Sequence, residues 1–191
     1  MRSYRFFKQK VARTENLGFL KLTYNGTENN PPFSAVGDVF KDIQTVFNVL
    51  SPQHEVDERL SLQVKSIKSG SIVVELAWEV AKDVIAAASP GVIVIILKRL
   101  IDLWKAHQHK KSREYLELAG FSNPFLEFCE KNHLTEKDLT RKTVLRQYKE
   151  TFVKLDADFE KKSKMHQAIV RSSVWTIEYF KEYARDEDDR A

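Results

Sequence analysis

The residues that could support catalysis in this chain are one cysteine and a group of carboxylates. Cys129 precedes His133 by four residues, a spacing that would bring a thiol and an imidazole onto neighbouring turns of a helix. A nucleophilic thiol needs a lowered pKa, whereas Cys129 falls on an apolar helix face that predicts a core thiol. Asp156, Asp158 and Glu160 lie in a strongly charged segment and are expected to face solvent. We therefore assign no catalytic residue and expect no enzymatic activity.

Metal and nucleotide sites lack an adequate sequence signal. His54 and Glu55 begin a pattern like that of a zinc protease, but the second histidine that such a helix requires is missing. His107 and His109 are two residues apart near a predicted helix end, so their side chains point in different directions. None of the six glycines has the spacing of a phosphate-binding loop. The sequence therefore predicts no metal, no cofactor and no small-molecule substrate.

Basic residues are concentrated at two places, and each could contact nucleic acid. In the N-terminal segment, residues 2–13, cations alternate with aromatic residues that could stack on bases. The second place is the basic stretch 98–113 at the end of a predicted helix. Each also has a simpler explanation, a charged edge strand for the first and cations favoured at a helix C-terminus for the second. The candidate nucleic-acid-binding residues are Arg2, Arg5, Lys8, Lys10, Arg13, Lys110, Lys111 and Arg113.

The composition is typical of a folded domain. Of 191 residues, 42% are hydrophobic and 30% are charged, and the formal net charge is +4. The basic excess lies within residues 1–110, because the charges of residues 111–191 balance. A single cysteine, and no apolar secretory segment in the first residues, favour a reducing, cytoplasmic location.

Hydrophobic periodicity predicts an α+β fold: a small antiparallel sheet of three or four strands packed with helices, followed by a long helical C-terminal region. The predicted strands are 18–24, 60–66 and 72–78, and a further strand is allowed within 4–13. The predicted helices of the first half are 34–50, about 79–88 and 90–109. Pro90 separates the last two because proline suits the first turn of a new helix. We divide the chain into an α+β domain, residues 1–110, and a helical region, residues 111–191, that packs on it and ends in an acidic tail, 186–191.

The hairpin between the second and third strands allows a prediction of its register. A two-residue loop would set Val64 opposite Glu75 and bring a carboxylate onto the apolar face. A three-residue loop, Ser69 to Ser71, instead sets Val64 opposite Leu76 and keeps apolar residues together. We therefore predict the three-residue loop.

The C-terminal region is predicted to be helical. Thr135 and Asp138 have the spacing of a capping pair that opens a helix. From Leu145 to Phe180 apolar residues continue at spacings of three and four, although polar residues interrupt them. This pattern predicts one long helix, or two helices with a joint near 160–164.

A strand ending in Leu22-Thr23-Tyr24-Asn25-Gly26 is followed by an amphipathic helix, then by a hairpin closed through Ile67-Lys68-Ser69-Gly70-Ser71, then by a very apolar helix with a basic end. In this order of elements, residues 17–105 resemble a loose set of uncharacterised bacterial proteins. The resemblance implies a bacterial source. It implies no activity, and no functional residue is carried over from it.

The apolar segment 84–97 admits three interpretations: a core helix, an interface, or a segment that enters a membrane on activation. Our leading hypothesis is a non-enzymatic interaction or oligomerisation module within a larger bacterial assembly, with a second copy or another protein as its partner. The alternatives are a nucleic-acid-binding protein and a membrane-acting effector. We expect a chain ending after Lys161 to stay folded and to lose its interface. The candidate interface residues are Val92, Ile93, Ile96, Ile169, Val170, Val174, Trp175 and Ile177.

Overall fold

A computed structural model describes residues 11–26, 31–51, 58–81 and 90–182 of the chain. These residues form a four-stranded antiparallel sheet and six α-helices, so the predicted α+β class is confirmed. The strands are β1 (Val11–Tyr24), β2 (Glu58–Lys68), β3 (Ser71–Ala81) and β4 (Trp175–Phe180). The helices are α1 (Phe33–Leu50), α2 (Pro90–Gln108), α3 (Ser112–Leu118), α4 (Asn123–Lys131), α5 (Lys142–Leu155) and α6 (Phe159–Arg171).

The sheet has the strand order β2-β3-β1-β4, and one of its faces forms the floor of the core. On β1, Leu20 and Leu22 are fully buried, whereas the alternate residues Phe19, Lys21 and Thr23 are only partly buried. This alternation follows from the two-residue period of a strand. Helix α2 packs against β1 and β4 on the apolar face, and α1 packs against α2 and α6. The other face of the sheet carries mainly polar side chains.

The β2–β3 hairpin corrects our prediction of its register. The turn contains two residues, Ser69 and Gly70, and Val64 lies opposite Val74 rather than opposite Leu76. A bulge between Val64 and Ser66 inserts one extra residue into β2, so the register of β2 against β3 shifts by one residue. The prediction of a three-residue loop was therefore wrong. The bulge in β2 keeps the apolar residues on one face of the hairpin, so a third loop residue is not needed.

Most helices of the first half begin and end where the periodicity predicts. The predicted helix 34–50 is confirmed as α1, and the predicted start at Pro90 is confirmed for α2. The predicted helix 79–88 is wrong at residues 79–81, which belong to β3. Its remaining residues, 82–88, lie outside the described part of the chain, as does most of the strand allowed within 4–13.

The predicted joint in the C-terminal helix lies in a different place. Helix α5 ends at Leu155 and α6 begins at Phe159, so the break precedes 160–164. Asp156 explains the position, because its buried carboxylate accepts the backbone N–H groups of Ser122 at 2.9 Å and Asp158 at 3.1 Å. Lys162 Nζ lies 2.9 Å from the same carboxylate and neutralises it. These bonds hold a non-helical turn in place.

The largest correction concerns residues 175–180, which we predicted to be helical and which form β4. Trp175 and Ile177 are buried, whereas Glu178 is exposed, so the burial follows a two-residue period. The polypeptide leaves α6 through a short 3-10 turn, Ser172–Val174, and then pairs with β1. Strand β4, from the second predicted region, therefore completes the sheet of the first.

Two smaller features organise the helices on which the sheet packs. The predicted capping pair, Thr135 and Asp138, is confirmed, although the element that it opens is a 3-10 helix, Glu136–Thr140. An aromatic cluster joins α4, α5 and α6, with ring centroids 5.2 Å apart for Phe125 and Phe152 and 4.9 Å apart for Phe152 and Phe159. The helical layer and the sheet thus share one continuous hydrophobic core.

Candidate functional site

The outer edge of β4 carries backbone groups that are open for pairing. Val174 C=O accepts a hydrogen bond from Asn25 N–H at 2.8 Å, which identifies the even-numbered residues as those that face β1. Residues 175, 177 and 179 therefore point their backbone groups outward. Trp175 is already satisfied, since its N–H binds Ser172 C=O and its own C=O accepts from Gln108 Nε2 at 2.9 Å. Within the described ranges, the open positions are Ile177 and Tyr179.

Beyond the end of β4 lies a groove of about 1040 Å³ between the sheet and the first half of α2. It forms because β4 pairs with β1 only as far as Phe19, while β1 continues to Val11. Apolar groups supply most of the lining, and Lys98, Lys181 and Glu182 lie among them. The other lining residues are Asn16, Leu17, Gly18, Phe19, Gly91, Val94, Ile95 and Tyr179.

A bulge in β1 shapes the floor of this groove. The register with β3 shifts between Asn16 and Gly18, and Asn16 Oδ1 accepts the Gly18 N–H at 2.7 Å. Tyr179 Oη donates to the Leu17 carbonyl at 2.6 Å, which fastens β4 to the bulge. Gly18 has a φ of +116°, and a Cβ there would lie 2.5 Å from the Phe180 carbonyl oxygen. Glycine is therefore required for this close approach of β1 and β4.

Exposed apolar side chains lie on the two elements beside the groove, α2 and β4. Ile95 is 66% exposed, Phe180 is 42% exposed and Val92 is 39% exposed. Val92 and Ile95 are three residues apart on α2 and so share one face of the helix. Together with the groove and the open edge of β4, they form a surface that we call the β4 surface.

A second candidate is a polar cluster in the interior, between α2, α3, α6 and the 3-10 helix that follows α4. Tyr115 Oη and His166 Nδ1 lie 2.7 Å apart, and the His107 and His166 rings are 5.8 Å apart. Burial, together with the adjacent His107, lowers the pKa of His166 to about 4. Ser112 Oγ donates to the buried carboxylate of Glu136. A neutral imidazole paired with a phenol could exchange a proton, but Tyr115 and His166 are sealed from solvent. We therefore interpret this cluster as part of the packing.

The catalytic pairs suggested by sequence do not form sites. Cys129 is buried, and burial raises the pKa of its thiol to about 12, which opposes nucleophilic chemistry. His133 is exposed. Asp156, which we expected to face solvent, is buried and serves the α5–α6 turn. In the described part of the chain, no three His, Cys, Asp or Glu side chains are grouped to hold a metal ion, and His54 lies outside that part.

The basic candidates are only partly described. Arg2, Arg5, Lys8 and Lys10 lie outside the described residues, and the side chain of Arg13 is not described. In the second patch Lys111 pairs with Glu114 at 2.8 Å, and Arg113 pairs with Glu117 at 2.8 Å and also contacts Glu130. Lys110 is exposed. Acidic neighbours thus pair with two of the three cations, Lys111 and Arg113, that we considered in this patch for phosphate binding.

The interface candidates are divided between core and surface. Ile93, Ile96, Ile169, Trp175 and Ile177 are buried in the chain's own core. They are not available to a partner in this fold, which corrects their assignment as interface residues. Val92, Val170 and Val174 are exposed. Sequence reasoning missed Ile95, Tyr179 and Phe180, although the alternation from Trp175 to Phe180 could have indicated a strand.

No family model matches the chain, and no curated protein or solved structure matches it. Among the helices of the described ranges, none has both the length and the hydropathy that crossing a bilayer requires. The function has therefore to be inferred from the chain's own geometry.

Proposed function

We propose that this chain is a non-enzymatic protein-interaction module and that the β4 surface binds a peptide segment of another protein. The observation that carries the proposal is the combination of an open strand edge with an adjoining apolar groove. Peptide-binding domains commonly use such an edge, because its backbone groups provide affinity and neighbouring pockets provide specificity.

The apolar content of the surface supports this function. Ile95 lines the groove and exposes two thirds of its area, and Val92 extends this exposed apolar face along α2. Contiguous exposed apolar groups with a polar rim are typical of interaction sites. Lys98 and Lys181 supply such a rim. The β4 surface therefore has the anatomy of a small interface, apolar in the middle and charged at its margin.

Nucleic-acid binding has less support from the described residues. A phosphate site needs unpaired cations, whereas Lys111 and Arg113 lie in ion pairs with glutamates. We retain that function as an alternative that the N-terminal cations and the exposed Lys110 would have to carry.

Selection from a random twelve-residue peptide library tests the proposed function without assuming how the partner binds. Wild-type protein should enrich a peptide family, and Ile95→Asp should weaken the binding of those peptides at least about tenfold, because a carboxylate replaces an apolar contact. Isothermal titration calorimetry measures the affinities.

Ile67→Asp provides a matched control, since Ile67 is 72% exposed and lies on β2 at the opposite edge of the sheet. It should leave peptide affinity unchanged, and thermal melts should confirm that both variants are folded. Failure to enrich any peptide, or equal binding by Ile95→Asp, would remove the β4 surface as the site. Light scattering adds a separate outcome: a dimer that Ile95→Asp alone dissociates would make a second copy the occupant and overturn the choice of a foreign segment.

A further inference from the structure

We infer that the partner segment binds as an added β-strand on the outer edge of β4 and presents a lysine or arginine between two apolar residues. This inference rests on the proposed function and specifies the partner's chemistry. It follows from which backbone groups are open, which faces the added side chains would occupy, and which charge β4 presents.

The open backbone positions define an extended ligand. Ile177 and Tyr179 each direct an N–H and a C=O away from β1, and no other described residue bonds to them. An antiparallel segment can satisfy all four groups with two of its own residues. Helical or compact ligands lack backbone groups in that arrangement. The segment must be short, because the bonded backbone groups of Trp175 close one end of the edge.

A second copy of the chain makes a poor antiparallel partner. The register that uses both open residues of each copy pairs Ile177 with Tyr179 and sets the two Glu178 side chains directly opposite each other. Like charges directly opposite in a sheet are destabilising. The register shifted toward the start of β4 sets Tyr179 against Trp175, whose backbone groups are already bonded, and the register shifted toward its end needs Lys181, which lies beyond β4. The edge of β4 therefore favours a foreign strand with a different central residue.

Charge complementarity specifies that central residue. The side chain across from Glu178 lies on the polar face of the sheet, where Lys21 of β1 is the register partner of Glu178 on the inner side. A lysine or arginine on the outer side would extend the row into alternating basic, acidic and basic residues. Opposite charges paired across strands are stabilising.

The two flanking residues of the added strand face the other side of the sheet. There Ile177 is buried and Tyr179 borders the groove, which Ile95 also lines. Side chains at these positions would cover exposed apolar area on α2 and so should themselves be apolar. The resulting recognition element is apolar-basic-apolar in an extended segment.

Two synthetic probes test the inference: Ser-Thr-Val-Lys-Val-Thr-Ser and the same peptide with Glu at its centre. Wild-type protein should prefer the Lys probe by about tenfold, the combined effect of gaining an attractive pair and avoiding a repulsive one. Glu178→Lys should reverse the preference. Glu127→Lys, the same charge change at an exposed position on α4, should leave it unaltered. Fluorescence anisotropy of labelled probes measures all of these affinities.

A Lys probe that is N-methylated at both valines separates strand addition from simple charge attraction. It should lose binding to wild-type protein, because two backbone donors are removed and the methyl groups obstruct pairing. Equal affinity for the methylated and unmethylated probes, or no reversal in Glu178→Lys, would overturn the inference. If Ile95→Asp still weakens the binding of the library peptides in that case, the β4 surface remains the binding site and only binding as an added strand is rejected.

Discussion

The two outer strands of the sheet, β2 and β4, meet solvent in different ways. Strand β2 has eleven residues, is bulged at Lys65 and carries Lys65 and Lys68 on the outermost strand. Bulges and lysines are devices by which natural sheets prevent edge-to-edge association. Strand β4 has six residues in regular register with β1 and a single charged residue, Glu178. Its short length and the bonded backbone groups of Trp175 limit further pairing. The comparison indicates that the sheet is protected at one edge and left receptive at the other.

The strands also differ in what holds them. Strand β2 joins β3 through a two-residue turn, so its pairing is local. Strand β4 comes from far along the chain and depends on tertiary contacts made by the end of α6. Asp42 of α1 lies 2.6 Å from Arg171 and accepts a hydrogen bond from Ser172, immediately before β4. Strand β4, the edge that is open for pairing, therefore depends on the rest of the fold for its position.

Removing β4 should have the largest effect. A chain that ends after Lys161 lacks the buried side chains of Met165, Ile169, Trp175 and Ile177. We expect it to lose cooperative unfolding, because losing several large core residues costs more than the usual stability of a domain. Thermal denaturation followed by circular dichroism measures this. This expectation replaces our sequence-based one, and a cooperative transition in the shortened chain would restore the earlier view that this segment is an interface.

Acid should weaken the side of the fold that carries β4. His166 of α6 has a pKa lowered from 6.5 to about 4 by burial, with Tyr115, His107 and Glu136 around it. Below pH 6.5 the unfolded chain binds a proton that the folded chain does not. The free energy of unfolding should therefore fall as the pH drops from about 6.5 to about 4, by on the order of 3 kcal/mol.

Urea denaturation at a series of pH values measures this effect, and His166→Gln serves as the comparison because it removes the titrating group. The variant should show a flatter pH dependence over the same window. Hydrogen exchange at pH 5 sharpens the contrast between the edges, since protection should decrease in β4 before it decreases in the β2–β3 hairpin. Parallel curves for the two proteins would show that His166 is not the responsible group.

Gly18→Ala should loosen β4 from β1. The positive φ and the contact with the Phe180 carbonyl predict a loss of about 1–3 kcal/mol in the free energy of unfolding. Gly37→Ala is the matched control, because Gly37 lies inside α1 with nothing within 4 Å of an added Cβ. That change should raise stability by roughly 0.5–1 kcal/mol. Chemical denaturation measures both, and equal signs for the two variants would contradict the prediction.

The smallest effect on stability is expected at the protected edge. Lys65 pairs with Glu75 and is partly exposed, so Lys65→Thr should change the free energy of unfolding by less than about 1 kcal/mol. The same variant should self-associate more, because a protecting charge is lost from β2. Dynamic light scattering over a concentration series measures the association. Unchanged scattering would mean that the bulge alone protects this edge.

Sequence reasoning predicted the elements whose pattern is local and missed those that depend on a distant partner. The three-four spacing of α1 and the proline at the start of α2 identified these helices. Around β4 the apolar residues also fitted a helical spacing, because a short run with two apolar stripes suits both periods. Among the exposed residues of the β4 surface, Val92 is the one that the sequence predicted as an interface residue.

The sequence by itself determined the α+β class, the apolar faces of α1 and β1, and the Thr135–Asp138 cap, because these depend on residues close together along the chain. The tertiary structure decided that residues 175–180 form a strand, since an edge of β1 was open to pair with them. It also decided the α5–α6 break, where Asp156 meets the backbone of Ser122 across the fold. Hydrogen-bond partners distant in sequence leave no periodic signal, and the receptive edge of this protein is built from such partners.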